Sequence, residues 1–367
     1  MLQGGGALGA YQGGVYEVLV EHGFAIDWVV GTSIGAINGA IIAGNAPERR
    51  VERLQEFWQL VGRDDPLAPF ATIPYAAWLA PWINASELWN VICRGIPGFF
   101  EPRSRCVLDI SQLVPTPEAG FYDTTPLQAT LERLVDFDYL NAGHVRYTTC
   151  AVEVGTGRLV TFDSRTHRIV PQHIMASGAL PPGFPPVMIE GKAYWDGGIY
   201  SNTPMDVVMD DAEREDTLCF MVDLWDPTEA EPHSISEAMM RLKDIQYASR
   251  THEHLADHRL LQNMRRAIDL LARRLTEKDR TDPLVQQMTT LGCESRVNIV
   301  RLIMKALPSD SHTKDIDFDR ATLSARWKAG ARDAQRALLH KSWLAPMPPH
   351  VGLVVHELPQ EESKDWS

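Results

Sequence analysis

Cysteine is scarce and unpatterned in this chain. The five cysteines, Cys93, Cys106, Cys150, Cys219 and Cys293, are odd in number and none forms Cys-x-x-Cys, which argues against a disulfide framework or a cysteine zinc site. Positive charge is also short. Thirty-five Lys and Arg stand against 48 Asp and Glu, a net charge of -13, so neither nucleic-acid binding nor simple electrostatic attachment to an anionic membrane is expected. No run of 18 apolar residues marks a membrane span and no cationic flank precedes an apolar stretch, so a cytoplasmic chain is the expectation. Histidine offers no marked catalytic context: His252, His254 and His258 fall on a polar helical stretch and read as solvated. Hydrophobic residues are plentiful, at 44% of 367, enough to bury a large α/β core.

The stretch around which the rest is organised is Gly31-Thr32-Ser33-Ile34-Gly35. A Gly-x-Ser-x-Gly pattern arises by chance in roughly one chain in ten of this length, so its setting carries the weight. Trp28, Val29 and Val30 read as a buried strand and Ile34 to Ala43 as a helix, which puts Ser33 at a strand-to-helix corner. Such a corner exposes a hydroxyl, and the helix start offers backbone N–H groups to an oxyanion.

Gly4-Gly5-Gly6-Ala7-Leu8-Gly9 supports two readings. It satisfies the dinucleotide fingerprint Gly-x-Gly-x-x-Gly, but Asp27 lies before the second strand, at the wrong end to hold a ribose. Alternatively it is an oxyanion hole, with backbone donors free of side chains. A tight turn into the helix Ala10 to His22, capped by Gly23, would explain the glycines without chemistry. Only Met1, Leu2 and Gln3 precede the run where a full strand normally stands, so further strand residues ahead of Met1 are expected.

From Ile41 to Glu101 tryptophan concentrates at Trp58, Trp78, Trp82 and Trp89, with Phe70, Tyr75, Phe99 and Phe100. The stretch reads as core under a long connection, or as an apolar cap over an acyl-chain pocket. Regular signals then resume. A helix follows Thr125-Pro126 through Leu127, Leu131 and Leu134, and two strands, Arg146 to Val152 and Arg158 to Phe162, flank Gly155 and Gly157. The segment from Ala176 to Pro186 holds four prolines and reads as a rigid, extended wall or a buried connection. Ala193-Tyr194-Trp195-Asp196-Gly197-Gly198, followed by Asn202 and Pro204, sets a carboxylate on a glycine turn. Asp196 is a candidate general base to Ser33, or else a structural Asp-Gly turn.

These motifs, in this order and spacing over residues 3 to 206, resemble the bacterial patatin-like phospholipases. The resemblance implies an α/β fold, a three-layer α/β/α sandwich with a mostly helical C-terminal segment. It implies Ser33 as nucleophile, Asp196 as its dyad partner, an oxyanion hole from Gly4, Gly5 and Gly6 with Ile34, and motif support from Gly31, Gly35, Gly197 and Gly198. It implies hydrolysis of a lipid acyl ester without metal or cofactor, of phospholipase A or lysophospholipase type. The nearest alternatives are a neutral-lipid or polyhydroxyalkanoate esterase and a silent lipid-binding scaffold. Leu8 stands where many relatives carry Arg or Lys, a trait of a subgroup with a C-terminal extension of unknown function.

The expected organisation is a catalytic core over 1–226, a helical segment over 227–292, a returning strand and helix over 293–345, and a mobile tail over 346–367. Thr217 to Leu224 and Asn298 to Ile303 read as strands and Thr322 to Leu339 as the last helix. Leu261, Met264, Ile268, Leu271 and Leu275 make one apolar helix stripe, and between Arg259 and Arg280 seven basic residues accompany three acidic ones. Packing against the core, a subunit contact through the 254–280 helix, or peripheral docking on a membrane would each use that stripe.

Overall fold

The computed structural model describes residues 1–64, 94–103, 111, 113–228 and 231–358. Trp78, Trp82, Trp89, Phe70 and Tyr75 lie outside the described residues, as do Cys93 and Cys106. In chain order the elements used below are α1 (Ala10–Glu21), β1 (Trp28–Gly31), α2 (Ile34–Ala43), α3 (Pro47–Val61), α4 (Thr125–Leu134), β2 (Arg146–Glu153), β3 (Arg158–Asp163), α5 (Pro171–Ser177), β4 (Val187–Ile189), β5 (Lys192–Asp196), α6 (Met205–Met209), β6 (Thr217–Asp223), α7 (Ile235–Ala272), β7 (Val297–Ile303), α8 (Arg320–His340) and β8 (Leu353–Glu357).

The sheet is built in two halves joined by the chain start. On one side β1 runs parallel to β2, whose far edge carries β3 antiparallel. On the other side β6, β7 and β8 are parallel. Met1–Gln3 form a strand stub between the halves: Leu2 N–H donates to Val30 O at 2.8 Å, and Gln3 N–H to Val222 O at 3.2 Å. Beside the stub, where the starts of β1 and β6 part, lies a cavity of about 500 Å³ lined by Val15, Leu19, Phe24, Val29, Phe220 and Val297. Neither Ser33 nor Asp196 lines it.

Side-chain alternation along β6 and β7 separates two apolar layers, as the two-residue period of a strand requires. Val222, Val300 and Leu302 face the main core with α1 and α2, whereas Met221, Val297 and Ile299 meet Met205 and Met209 of α6 and Leu255 of α7. Helices therefore cover both faces, the three-layer α/β/α arrangement the resemblance implies. α2 is small and apolar enough to be buried all round, with all ten residues inaccessible.

Three features differ from the sequence reading. The tail is not mobile throughout: Leu353–Glu357 pairs in parallel with β7, because Leu353 has an apolar layer to enter, while 359–367 lie outside the described residues. Along α7 the buried face is largely polar: Gln262 and Arg266 turn inward to the backbone carbonyls of Ser295, Glu294 and Pro349, and Leu260, Leu261, Met264 and Leu271 are left exposed. His258 is buried on the same face and bonds Asp206 at 2.8 Å rather than solvent.

α1 is also less ordinary than its Val15, Val18 and Leu19 suggest. Gly14 and Gly330 let α1 and α8 touch backbone to backbone, since a Cβ on Gly14 would fall 1.9 Å from Trp327 O and one on Gly330 2.0 Å from Tyr11 O. Two adjacent glycines inside a helix cost roughly 1 kcal/mol each in propensity. Close packing and the flanking bonds Tyr11 Oη to Asp333 and Trp327 Nε1 to Glu17 offset that cost.

Candidate active site

The pairing register brings the two motifs together. β1 ends at Gly31, opposite Thr149 of β2, and the antiparallel β5 reaches the same edge of β2 with Asp196 opposite Ala151. Two residues along one strand separate them, roughly 7 Å. β1 and β5 thus meet end to end, one carrying Ser33 out of the sheet and the other delivering Asp196.

Ser33 occupies the corner predicted for it. Its φ of 55° and ψ of -122° are unusual for a residue with a side chain, the strained geometry that presents a hydroxyl at a strand-to-helix turn. Gly31 and Gly35 permit the turn: a Cβ on Gly31 would lie 2.2 Å from Gly35 O, and one on Gly35 2.2 Å from Leu2 O. Thr149 Oγ1 donates to Gly31 O at 3.0 Å, and Ser33 N–H donates to Ser177 Oγ at 3.0 Å. Asn38 of α2 ties the corner to the glycine loop through bonds to Gly9 O and Gln12 Oε1.

Asp196 is 3% exposed. Its N–H donates to Ala179 O at 3.0 Å, so the proline-rich connection anchors the end of β5, and Gly198 N–H donates to its Oδ1 at 2.7 Å. Gly197 fits tightly between Cys150 O and Thr32. Burial pushes the Asp196 carboxyl up to about 7, against the opposing pull of the Gly198 N–H and the Ser33 hydroxyl. Among the described residues Asp196 forms no ion pair. A base near neutrality is what proton transfer at physiological pH needs, whereas an ordinary aspartate near 4 is a weak one.

The glycine run passes beside the serine, since a Cβ on Gly4 would come 3.0 Å from Ser33 Cβ. Gly4 N–H is turned to Asn202 O at 3.4 Å, so Gly4 serves as a spacer without a side chain rather than as a donor, contrary to the reading from sequence. The N–H groups of Gly5, Gly6 and Ile34 have no acceptor among the described residues. His258 and Asp206 form a histidine–carboxylate pair between α6 and α7, and no hydrogen bond joins it to Ser33 or Asp196. Phe99 and Phe100, from the aromatic stretch, pack against Phe184 just beyond the Pro181-Pro182 step, which supports core packing for that part.

Sequence reasoning missed Ser177, which bonds the Ser33 corner, Trp225, which bonds the glycine loop, and Gln3, the residue before that loop, which is tied to Leu224. Ser177 had a faint signal as a small hydroxyl ahead of the prolines. Trp225 had none.

No curated protein matches the chain. Among solved structures, VipD from Legionella pneumophila is 14% identical, with 92% of this chain and 66% of that chain covered and a TM-score of 0.38. The type III effector protein ExoU is 16% identical, covering 95% and 76%, with a TM-score of 0.26. The chain spans just under two thirds of the length of the VipD chain. A family model described as patatin phospholipase matches residues 245–350, the extension that follows the Ser33 and Asp196 motifs. A second, described as patatin-like phospholipase, matches residues 1–209, more than half of the sequence and all of the Ser33 and Asp196 motifs, and the chain belongs to that family.

Proposed function

We propose that this chain hydrolyses acyl esters of lipids through a Ser33–Asp196 dyad, with phospholipid or lysophospholipid as substrate. Family membership supports a lipid acyl hydrolase. The observation that carries the dyad is a buried carboxylate, without a cationic partner among the described residues, at the end of β5, meeting a strained serine at the end of β1.

Ser33 Oγ attacks the ester carbonyl carbon and its proton passes to Asp196. The carbonyl oxygen becomes an oxyanion that accepts the N–H groups of Gly5, Gly6 and Ile34. Collapse expels the alcohol, which takes the proton from Asp196 and leaves an acyl-enzyme on Ser33. Water then attacks the acyl carbon and delivers a proton to Asp196. The second collapse frees the fatty acid and returns that proton to Ser33 Oγ.

Exposed apolar side chains beside the dyad, Leu180, Ile199 and Tyr200, suit an aggregated lipid substrate, and the exposed stripe on α7 supports peripheral membrane contact. No helix among the described residues is long and apolar enough to cross a membrane. Release of fatty acid from phosphatidylcholine vesicles, lysophosphatidylcholine, emulsified triacylglycerol and polyhydroxybutyrate tests the reading. Phospholipid hydrolysis by wild type and none by Ser33→Ala is expected. Activity confined to triacylglycerol or polyester removes the phospholipid assignment, and folded protein inert on all four is a lipid-binding scaffold.

A further inference from the structure

The loop from Gly4 to Gly9 contains no polar side chain, so its backbone must be fixed from outside. Its point of fixation is the Gly4 carbonyl. Trp225 Nε1 donates to it at 2.8 Å and Asn202 Nδ2 at 3.0 Å, both from buried side chains. N–H and C=O of a trans peptide point in opposite directions. Pinning the Gly4 carbonyl therefore aims the N–H of Gly5 the other way, where it meets no acceptor among the described residues.

Trp225 is itself braced. Its backbone N–H and that of Leu224 donate to Gln3 Oε1, at 3.2 and 2.5 Å, tying the end of β6 to the residue before the loop. Its ring packs at a tilt of 31° against Tyr247 of α7, with centroids 4.9 Å apart, and Lys314 Nζ stands 5.3 Å from the centroid. Lys314 is in turn fixed by Asp244 of α7 at 2.6 Å, both side chains 3% exposed or less. The next residue, Asp315, closes on the loop from outside: Gly6 has φ of 56°, and a Cβ there would fall 2.2 Å from Asp315 O. Asp244, Tyr247, Lys314 and Asp315 all follow the segment that carries Ser33 and Asp196.

We infer that Trp225 is a positioning residue for the oxyanion loop, and that Lys314 of the C-terminal extension, fixed by Asp244 just ahead of it, holds the indole in place, so the extension completes the hydrolytic site. This rests on the hydrolase reading above. The indole N–H acts through Gly4 and touches no substrate. Its loss leaves the Gly4 carbonyl held by Asn202 alone, which loosens the Gly4–Gly5 peptide and weakens binding of the oxyanion while leaving ground-state binding of a neutral ester alone.

The test compares wild type with Trp225→Phe on a soluble short-chain ester, together with inhibition by a trifluoromethyl ketone, which adds to an active serine as a tetrahedral oxyanion. Should Trp225→Phe fold poorly by thermal melting, 3-benzothienylalanine placed at position 225 keeps the ring shape and removes only the donor. The expected result is a kcat lower by about tenfold or more, an unchanged KM, and a trifluoromethyl ketone Ki raised by a similar factor. Lys314→Met should show the same pattern in weaker form. Unchanged kcat and Ki, or a lower kcat with unchanged Ki, overturns the positioning role. A wild type that forms no ketone adduct sinks the hydrolase reading itself, a separate outcome.

Discussion

Two buried carboxylates end strands of the same sheet, and their surroundings give them opposite roles. Asp223, the last residue of β6, meets Arg301 Nε at 2.7 Å, and Arg301 also reaches Glu357 of β8. Asp196, the last residue of β5, has among the described residues the Gly198 N–H and the Ser33 hydroxyl as its carboxylate partners. Burial raises both carboxyls, but at Asp223 the Arg301 charge opposes it and the pair is a structural tie across three strands. Burial without a counter-ion makes Asp196 a base and a liability to the fold. The difference lies in one partner, since both side chains are almost inaccessible.

The largest expected effect breaks the comparison at its functional side. Asp196→Asn keeps the shape and removes the base, so hydrolysis should fall by about 10³-fold or more, whereas folded Asp223→Asn should keep wild-type turnover within a few-fold, read by steady-state kinetics.

Stability should move the opposite way. Asp196 titrates near 7 in the folded protein and near 4 unfolded, so between those values the native state holds the extra proton and stability falls as pH rises. Above pH 7 the ionised, uncompensated carboxylate costs roughly 4 kcal/mol. Asp196→Asn should therefore match wild type in denaturant melts near pH 4 and exceed it at pH 8. Asp223→Asn leaves Arg301 without its buried partner and should lose about 3–5 kcal/mol at pH 7. Joint replacement by Asp223→Leu and Arg301→Met should recover most of that loss, because apolar packing removes both desolvation penalties.

The smallest effect calibrates the rest. Arg165 and Glu213 are also ion-paired, but with half or more of each side chain exposed. Arg165→Ala should change stability by less than about 1 kcal/mol, and less still in high salt. A larger loss would mean that exposure does not separate structural pairs from incidental ones here.

How much of this was legible in the sequence follows from how local each signal is. Ser33 stood out because strand, glycines and helix are consecutive, and Asp196 because its glycines adjoin it. The layering came with the family resemblance rather than from any one strand, and the elements around Thr125, Arg146 and Arg158 form where their patterns put them. The inward polar face of α7 was not, because Gln262 and Arg266 are buried by bonding to carbonyls that are distant in the chain, and periodicity counts only apolar residues. Gly13 and Gly14 carry no local signal of the close approach of α8, which lies more than 300 positions on. Trp225, Lys314 and Asp244 were invisible for the same reason: single residues that act on a loop some 220 or more positions away leave no spacing to read.

The central claim is that Asp196, buried and uncompensated, activates Ser33. Intact-mass detection of fluorophosphonate labelling against pH, in wild type, Ser33→Ala and Asp196→Asn verified as folded, tests it most directly. Wild type should gain one adduct, on Ser33, at a rate that climbs through about pH 7, and neither variant should be labelled at a comparable rate. Unlabelled wild type, or Asp196→Asn labelled as fast as wild type, would contradict it.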